Sequence, residues 1–258
     1  MFNYVFIIEF NMPKEDSSIY EGSPCWMDKR MELFESYTLP SLNSQTDNEF
    51  YAFLVCDPDT PEVYKQKLHQ LEENYKFIHI FWSKRSDGEE ADKGIIDLYK
   101  KLSPNQEQIL TSICDNDDLV HIQYVETAKL IYNYLEQGIT QIPFIRDIKQ
   151  IKQFNLDSVN LINYSHGLYW DINQTKFLDS IFPTNAFFTT KSNINNFLNP
   201  RYTNHHDVVK DNNSLICNTI LPMWIQIIHG ENLWNRLDRM PGNLCDIDIN
   251  QLKEHYGF

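Results

Sequence analysis

The chain has 258 residues, of which 42% are hydrophobic and 14% aromatic, enough to build one large α/β domain around a buried core. Lys and Arg number 22 against 36 Asp and Glu, and the resulting net charge of −14 argues against general binding to nucleic acid or to anionic membranes. No stretch approaches the roughly 20 apolar residues of a membrane-spanning helix, and five widely spaced cysteines without a CxxC pair predict a reducing, cytoplasmic location without disulfides.

The first two strands and the helix between them can be assigned from their apolar patterns. The opening MFNYVFIIEFN has no basic leader, so its aromatic and β-branched run Tyr4–Phe10 predicts a buried strand rather than a signal peptide. Apolar residues at helical spacing begin at Trp26, and Pro40 is expected to end or kink that helix. The continuous apolar run Phe50–Cys56 is typical of a parallel strand covered on both faces.

The alternation of strand and helix continues to residue 138. Thr60 and Pro61 suit the start of a helix that runs to about Asn74. The elements predicted after it are a strand over Phe77–Trp82, a helix over Gly94–Leu102, a strand over Gln108–Cys114 and a helix from Leu119 to Gly138. Four strands alternating with four helices predict an α/β fold with a doubly wound, mainly parallel sheet. Ligands of such sheets bind outside the carboxyl ends of the strands.

The regular alternation of strands and helices ends at about Ile139. The stretches SVNLINYSHGLYWDI and AFFTT predict short strands, and LPMWIQIIHGENLWNR predicts a buried strand with a polar tip. The polar stretch NPRYTNHHDVVKDNN predicts a loop with one helical turn. Because no linker rich in Pro, Gly or Ser separates the halves, we expect C-terminal antiparallel strands and loops over the same sheet, within one domain.

Three acidic residues lie at the end of the fourth predicted strand. The stretch ICDNDDLVH places Asp115, Asp117 and Asp118 around Asn116. Asp117 and Asp118 suit a helix start, where carboxylates cap free N–H groups and interact favourably with the helix dipole. Three carboxylates in four positions exceed what capping needs, and a hard divalent cation relieves their mutual repulsion. The D-x-D spacing of Asp115 and Asp117 therefore predicts a metal site whose open face takes phosphate oxygens.

Three stretches support a family resemblance: WMDKRMELFESYTLPSLNSQTDNEFYAFLVCDPDTP, then CDNDDLVHIQYV, then PMWIQIIHGEN. In these stretches, which stand in the order found in the family, the sequence resembles the putative rhamnosyltransferase family of nucleotide-sugar glycosyltransferases with the GT-A fold. The resemblance implies one GT-A-like domain with a nucleotide-binding half, residues 1–138, and an acceptor-side half, residues 139–258.

The resemblance also implies a reaction. A sugar, with rhamnose named by the family, would move from a UDP- or dTDP-sugar to a glycan or another hydroxyl acceptor, with Mn²⁺ or Mg²⁺ as the cofactor. A cation held by Asp115 and Asp117 would stabilise the negative charge that develops on the leaving diphosphate. Asp118 could cap the helix, bind the metal through water or contact the sugar.

Charged residues at the other strand ends are further candidates for donor binding. Asp57 ends the second strand, where related transferases place a nucleoside contact, although turn formation around Pro58 explains it equally well. Arg30 suits a salt bridge to phosphate or to the acidic loop, or a solvated surface position. Arg85, after the third strand, and Lys93, just before the next helix, are candidates for the diphosphate.

The C-terminal half offers candidates for catalysis. In several GT-A enzymes a C-terminal histidine completes the metal site or meets the diphosphate; His229 suits this role or a hydrogen bond at a strand end. If configuration is inverted, a base must take the proton of the acceptor, and Asp207 and Asp171 are the candidates. Trp170 and Trp234 are either sugar platforms or core residues.

Other classes of function fit the sequence less well. A nucleotidyltransferase would usually carry a glycine-rich loop after the first strand, but NMPKEDSSIYEGSPC has one glycine and no G-x-x-x-x-G-K-[ST] motif occurs. A Ser-His-Asp hydrolase is excluded because the sequence has no G-x-S-x-G elbow. The alternative that stays open is a degenerate GT-A-like module that binds a nucleotide or glycan without turnover.

Overall fold

The computed structural model describes residues 2–11, 24–84, 88–150, 158–197, 205–229 and 236–258. Within these ranges the strands are β1 (Asn3–Asn11), β2 (Phe50–Cys56), β3 (Ile78–Trp82), β4 (Gln108–Ile113), β5 (Leu119–Val120), β6 (Ile145–Gln150), β7 (Leu161–Tyr164), β8 (His166–Asp171), β9 (Lys176–Ile181), β10 (Phe188–Asn193), β11 (Ser214–Thr219), β12 (Trp224–Ile228) and β13 (Asn243–Cys245). The α-helices are α1 (Pro24–Leu33), α2 (Leu39–Asn43), α3 (Glu62–Asn74), α4 (Glu89–Leu102), α5 (Tyr124–Glu136), α6 (His205–Asp211) and α7 (Ile249–Tyr256).

The larger sheet has eight strands in the order β3-β2-β1-β4-β10-β7-β11-β6. Its first four strands are parallel, with Tyr4 of β1 opposite Phe50 of β2, and Asn3 of β1 opposite Ile109 of β4. The C-terminal half extends this sheet, beginning with β10, which is antiparallel to β4. The predicted doubly wound, mainly parallel sheet with C-terminal antiparallel strands is confirmed.

Helices cover both faces of the parallel strands. Val5 and Ile7 of β1 pack in an apolar cluster with Ile95 and Tyr99 of α4. On the opposite face, alternate residues of β1 share a cluster with apolar residues of α1, α3 and α5. This second cluster also includes residues of the C-terminal half, such as Trp224, which is fully buried.

The parallel register brings three strand ends to one edge of the sheet. β1 ends at Asn11, β2 is followed by Asp57, and β4 is followed by residues 114–118. We call this edge the rim. The Asn11 side chain is buried at the rim, where Nδ2 donates to Thr60 Oγ1 (2.7 Å) and Oδ1 accepts from the Asp57 N–H (3.1 Å).

A second sheet of five strands, in the order β13-β9-β8-β12-β5, begins directly after the acidic loop. Its strand β5 corrects the prediction that a helix starts at Leu119, because Leu119 and Val120 pair antiparallel with Ile225 and Trp224 of β12. The helix begins only at Tyr124. The apolar spacing that suggested a longer helix instead reflects the burial of both β5 residues between partners distant in sequence.

Pro40 does not end the helical segment. α1 continues into a π-helical turn, Phe34–Thr38, in which the Leu39 N–H donates to the Phe34 carbonyl, and α2 follows directly. Because Pro40 has no N–H to donate, the widened turn absorbs the irregularity, and the proline then occupies the first turn of α2, where it is tolerated.

Two other boundaries differ from the prediction. α4 begins at Glu89, five residues before the expected Gly94, and part of the predicted polar loop forms helix α6. No helix in the described ranges is long and apolar enough to cross a membrane. All five cysteines are free thiols.

Candidate active site at the rim of the parallel strands

The acidic loop joins the two sheets. Residues 114–118 connect β4 of the larger sheet to β5 of the smaller one, and the Asp118 N–H donates to the Asp115 carbonyl (3.3 Å). This turn gathers one carboxylate oxygen from each of Asp115, Asp117 and Asp118 within 4.8 Å of one another. Asp115 is exposed, whereas the other two are buried. The fold therefore brings the three predicted acids to one point that is open on one side.

Asp117 is held by two basic side chains. Its Oδ2 accepts a hydrogen bond from Arg30 Nη1 and lies 2.8 Å from His229 Nε2. Burial by itself raises the pKa of Asp117, but the hydrogen bond from His229 and the positive charge of Arg30 outweigh burial and lower this pKa below its usual value. Asp117 is therefore a buried carboxylate that keeps its negative charge.

Arg30 also ties the acidic loop to the parallel sheet. The same Nη1 donates to Asn116 Oδ1 (3.2 Å), and Asn116 Nδ2 donates to the Phe10 carbonyl of β1 (2.6 Å). The guanidinium lies 5.0 Å from the ring centre of Trp26, one turn earlier on α1. Of the roles considered for Arg30, the structure shows the salt bridge to the acidic loop.

Asp118 links the loop to β12 instead of capping a helix. Its Oδ1 accepts the Ile227 N–H (2.9 Å), and α5 starts six residues later, so neither Asp117 nor Asp118 caps it. Burial, then the charges of Asp117 and Asp115, raise the pKa of Asp118 well above its usual value. The three acids thus lie close enough to repel one another strongly.

The acidic loop has the donor set of a hard divalent cation. Its candidate ligands are all carboxylate oxygens, which Mg²⁺ and Mn²⁺ prefer. The hydrogen bonds described above use one oxygen each of Asp117 and Asp118. Within the described residues, the second oxygens, Asp117 Oδ1 and Asp118 Oδ2, accept no hydrogen bond. The three residues therefore fit a cation. His229 was predicted as a metal ligand, and in the structure its Nε2 lies 2.8 Å from Asp117 Oδ2.

Asp57 organises the turn after β2. Its Oδ1 accepts the Asp59 N–H (2.7 Å), and its carbonyl accepts from the Thr60 hydroxyl (2.6 Å). Asp57 is half-buried beside Asn11, at the same rim as the acidic loop. The structure therefore shows the turn-forming role of Asp57. Its contact with a nucleoside stays a prediction.

The two other basic candidates are not brought to the acidic loop. Lys93 is exposed inside α4 rather than ahead of a helix, and among the described residues it pairs with none of the loop acids. Arg85 lies outside the described residues, as does Trp234. Trp170 is buried, with its ring 5.4 Å from Phe177 in a stacked contact, so it belongs to the core of the smaller sheet.

Of the two predicted bases, Asp171 pairs with the strand whose end contacts the acidic loop. Three successive residues at the end of β12 connect it to the loop: Ile227 donates to Asp118, Ile228 pairs with Asp171, and His229 contacts Asp117. Asp171 is buried, and its Oδ1 accepts the N–H groups of Asn173 and Gln174, both at 3.0 Å.

Asp171 and Ile228 line a cleft of about 800 Å³ at the end of β12. Lys176 and Arg236 contribute positive charge to this cleft, and its other walls include aliphatic residues such as Leu178. The cleft is wide enough for a ligand of the size of a small glycan.

Asp207 lies elsewhere. It is exposed on α6, which packs through Val208 and Val209 on strands β7, β10 and β11 in an apolar cluster of its own. The structure does not bring Asp207 to the acidic loop. The sequence could not separate the two candidates because both follow aromatic or polar stretches, and only the pairing of β8 with β12 distinguishes them.

Sequence reasoning missed two amides of the site. Asn116 bridges Arg30 and β1, and Asn11 fixes the turn at Asp57. A polar amide at the end of an otherwise apolar strand was the available signal for Asn11. Asn116 was visible only as a residue between acids, and its partners lie 86 and 106 positions away.

The sequence matches a known protein family over most of its length. The model of the family described as putative rhamnosyl transferases matches residues 8–238. No curated protein matches the sequence significantly.

Solved structures with a similar fold include three of S. aureus TarS. The first is 10% identical, with a TM-score of 0.46, over 88% of this chain and 37% of that one. TarS 1-349 is 9% identical, with a TM-score of 0.47, over 88% and 60% of the two chains. TarS 1-349 in complex with UDP is 10% identical, with a TM-score of 0.45, over 88% and 61%. This chain thus spans less than two thirds of each TarS chain.

Proposed function

Because this chain belongs to the family described as putative rhamnosyl transferases, we propose that it transfers a sugar from a nucleotide-diphosphate donor to a hydroxyl acceptor in a metal-dependent reaction. One observation carries the proposal: the carboxylates of Asp115, Asp117 and Asp118 converge within 4.8 Å at the rim of the parallel strands. Ligands bind at this edge of such sheets, and a nucleoside diphosphate is a leaving group that needs a cation.

The acidic loop would hold Mn²⁺ or Mg²⁺ through Asp115 and Asp117, with Asp118 beside them. When bound, the cation would stabilise the charge that develops on the oxygens of the departing diphosphate. His229 lies 2.8 Å from Asp117 Oδ2 and fixes the orientation of Asp117, and the Ile227 N–H fixes that of Asp118. The ligands are thereby preorganised by buried partners, as metal ligands in proteins usually are.

Asp171 is the base that we assign to the reaction. One of its oxygens is fixed by two backbone N–H groups, so the carboxylate is held in one orientation at the edge of the cleft. An acceptor bound in the cleft would place its hydroxyl between Asp171 and the donor. Asp171 then takes the hydroxyl proton as the oxygen attacks, which is the arrangement for transfer with inversion.

The cleft beside Asp171 supports a glycan or another hydroxyl-bearing acceptor. Its charged walls, Lys176, Arg236 and Asp238, offer hydrogen-bonding groups, and its aliphatic walls can cover the apolar side of a ligand. The family description favours rhamnose as the transferred sugar, and UDP and dTDP are the nucleotides that we propose for the donor.

A screen of nucleotide sugars tests the proposal. The purified protein is incubated with UDP- and dTDP-sugars in Mn²⁺, in Mg²⁺ and in EDTA, and release of the nucleoside diphosphate is measured. We expect hydrolysis of one donor class with metal and none in EDTA. Saturable, metal-dependent binding of UDP or dTDP without hydrolysis or transfer would instead favour the degenerate binding module. Absence of any metal-dependent binding would contradict both functions.

A further inference from the structure

The negative charge of Asp117 is balanced by basic partners within the protein. Arg30 and His229 both contact its Oδ2, and the Arg30 and Asp117 side chains are only 15% and 7% exposed. A divalent cation at the acidic loop would therefore lie one carboxylate away from a buried guanidinium. Like charges at such a distance repel, and poor access of water leaves the repulsion weakly screened.

The position of Arg30 suits a second anion. Guanidinium groups bind phosphate oxygens with bidentate geometry, and a donor diphosphate at the rim would lie against the same acidic loop. Three carboxylates with one guanidinium repel a diphosphate while the cation is absent, and the guanidinium repels the cation while the diphosphate is absent. Each ligand thus removes the obstacle to the other.

We propose, on the basis of the proposed function, that Arg30 is a counter-ion that competes with the divalent cation for Asp117. Binding of the donor diphosphate then draws the guanidinium away from Asp117. Arg30 thereby couples the two ligands, so that the metal binds firmly only together with the donor. The opposite possibility is that Arg30 orients Asp117 as a permanent partner of a metal ligand and strengthens metal binding. The two roles predict opposite effects on metal binding when the positive charge of Arg30 is removed.

The test is Mn²⁺ binding, followed by the electron paramagnetic resonance signal of the free ion, with and without saturating UDP or dTDP. In the unmodified protein we expect the nucleotide to tighten Mn²⁺ binding by about 10-fold or more, within the usual range of coupling between sites. Arg30→Gln should bind Mn²⁺ alone about 10-fold more tightly than the unmodified protein, and its coupling to the nucleotide should fall to about 2-fold or less.

Two variants serve as controls. Arg30→Lys keeps the positive charge and should bind Mn²⁺ alone as weakly as the unmodified protein. Lys29→Gln removes a neighbouring charge on the same helix, where Lys29 pairs with Glu32 at the surface, and should leave Mn²⁺ binding unchanged. Equal or weaker Mn²⁺ binding by Arg30→Gln, with coupling retained, would overturn the counter-ion role while leaving the proposed function intact.

A measurement on the unmodified side chain of Arg30 covers the case in which its variants fold poorly. The guanidinium lies over Trp26, so its withdrawal should change the fluorescence of that tryptophan. We expect a change on adding Mg²⁺ and UDP together, none with Mg²⁺ alone, and no change in Trp26→Phe. If the fluorescence does not change although the nucleotide is bound, the inference is contradicted. If the protein binds no metal with any nucleotide, both the inference and the proposed metal dependence are refuted.

Discussion

At the scale of single residues, one carboxylate connects every part of the site. Asp117 receives Arg30 from α1 and His229 from the end of β12, and it follows Asn116, which is bound to β1. Its neighbours Asp115 and Asp118 supply the additional negative charge. The chemistry of the site therefore depends on contacts among residues that are separated by up to 112 positions in the sequence.

Replacement of Asp117 tests the metal role. Asp117→Asn keeps the shape and removes the charge, so we expect metal-dependent donor hydrolysis to fall by at least about 100-fold, as when a major electrostatic contribution is lost. Asp59→Asn is the control, because Asp59 is an exposed acid of the neighbouring turn that pairs with Lys84. Unchanged hydrolysis by Asp117→Asn, measured on protein with a native circular dichroism spectrum, would refute the role.

The two candidate bases can be compared directly. Asp171→Asn should lower kcat for sugar transfer by about 100-fold or more, the usual contribution of a general base, while the Kd for the nucleotide stays the same. Asp207→Asn, on the distant helix α6, should change kcat by less than about 2-fold, within the effect expected of a surface substitution away from the site. The reverse pattern would show that the cleft beside Asp171 is not the acceptor site.

At the scale of elements, close packing of β8 on β12 determines where the site forms. Gly167 of β8 faces the Trp224 ring so closely that an added Cβ would lie 2.0 Å from it. This contact permits the parallel pairing that places Asp171 beside Ile228. The glycine is therefore needed because a bulky residue of the neighbouring strand fills the space of its missing side chain.

Gly167→Ala should lower the free energy of unfolding by about 2 kcal/mol, the usual cost of overpacking a core. Urea unfolding measures this change. In a Trp224→Leu background, which frees the space, the same substitution should cost less than about 1 kcal/mol. An equal cost in both backgrounds would show that the contact with Trp224 is not the cause.

Some elements could be predicted from the sequence, and others could not. β1, β2 and the rim were predictable, because apolar runs of strand length alternate with helices and end at polar residues. β5 was missed, since two residues carry no periodicity and its partner β12 lies about 100 positions away. The acidic loop was found from local crowding of charge, whereas the attachment of Arg30 to it depends on packing that no local pattern encodes.

At the scale of the whole molecule, stability depends on pH through a buried histidine. His121 Nδ1 accepts the Gln123 N–H (3.1 Å), and burial, together with the neighbouring His255, lowers the pKa of His121 to about 4. The unfolded chain has the ordinary value of about 6.5, so between these values it binds a proton that the folded chain does not. Stability therefore falls as the pH falls through this range, by up to about 3 kcal/mol from this residue.

His121→Asn tests this contribution, because the amide oxygen can replace Nδ1 as the acceptor without titrating. We expect the loss of unfolding free energy between pH 7 and pH 5 to be smaller in the variant by about 2 kcal/mol. Urea unfolding at the two pH values provides the comparison. Equal losses in both proteins would place the protonation site elsewhere.

The whole chain combines a strongly negative net charge with a proposed site for an anionic donor. Its net charge of −14 and the three acids of the loop disfavour an anionic donor unless a cation is bound with it. The proposed glycosyl transfer is supported by the family assignment, by the parallel sheet and by the acidic loop at its rim. What the fold adds to the sequence is the pairing of Asp171 with Ile228, which lies between two residues that contact the loop, and the cleft that both residues line.

The most direct test of the account is a crystal structure of the protein grown with Mn²⁺ and UDP or dTDP, with the metal located from its anomalous scattering. We expect a manganese peak about 2 to 2.5 Å from carboxylate oxygens of Asp115 and Asp117, with the diphosphate on the open side of the metal. A nucleotide bound elsewhere, with no metal at these carboxylates and Asp117 still paired with Arg30, would contradict it.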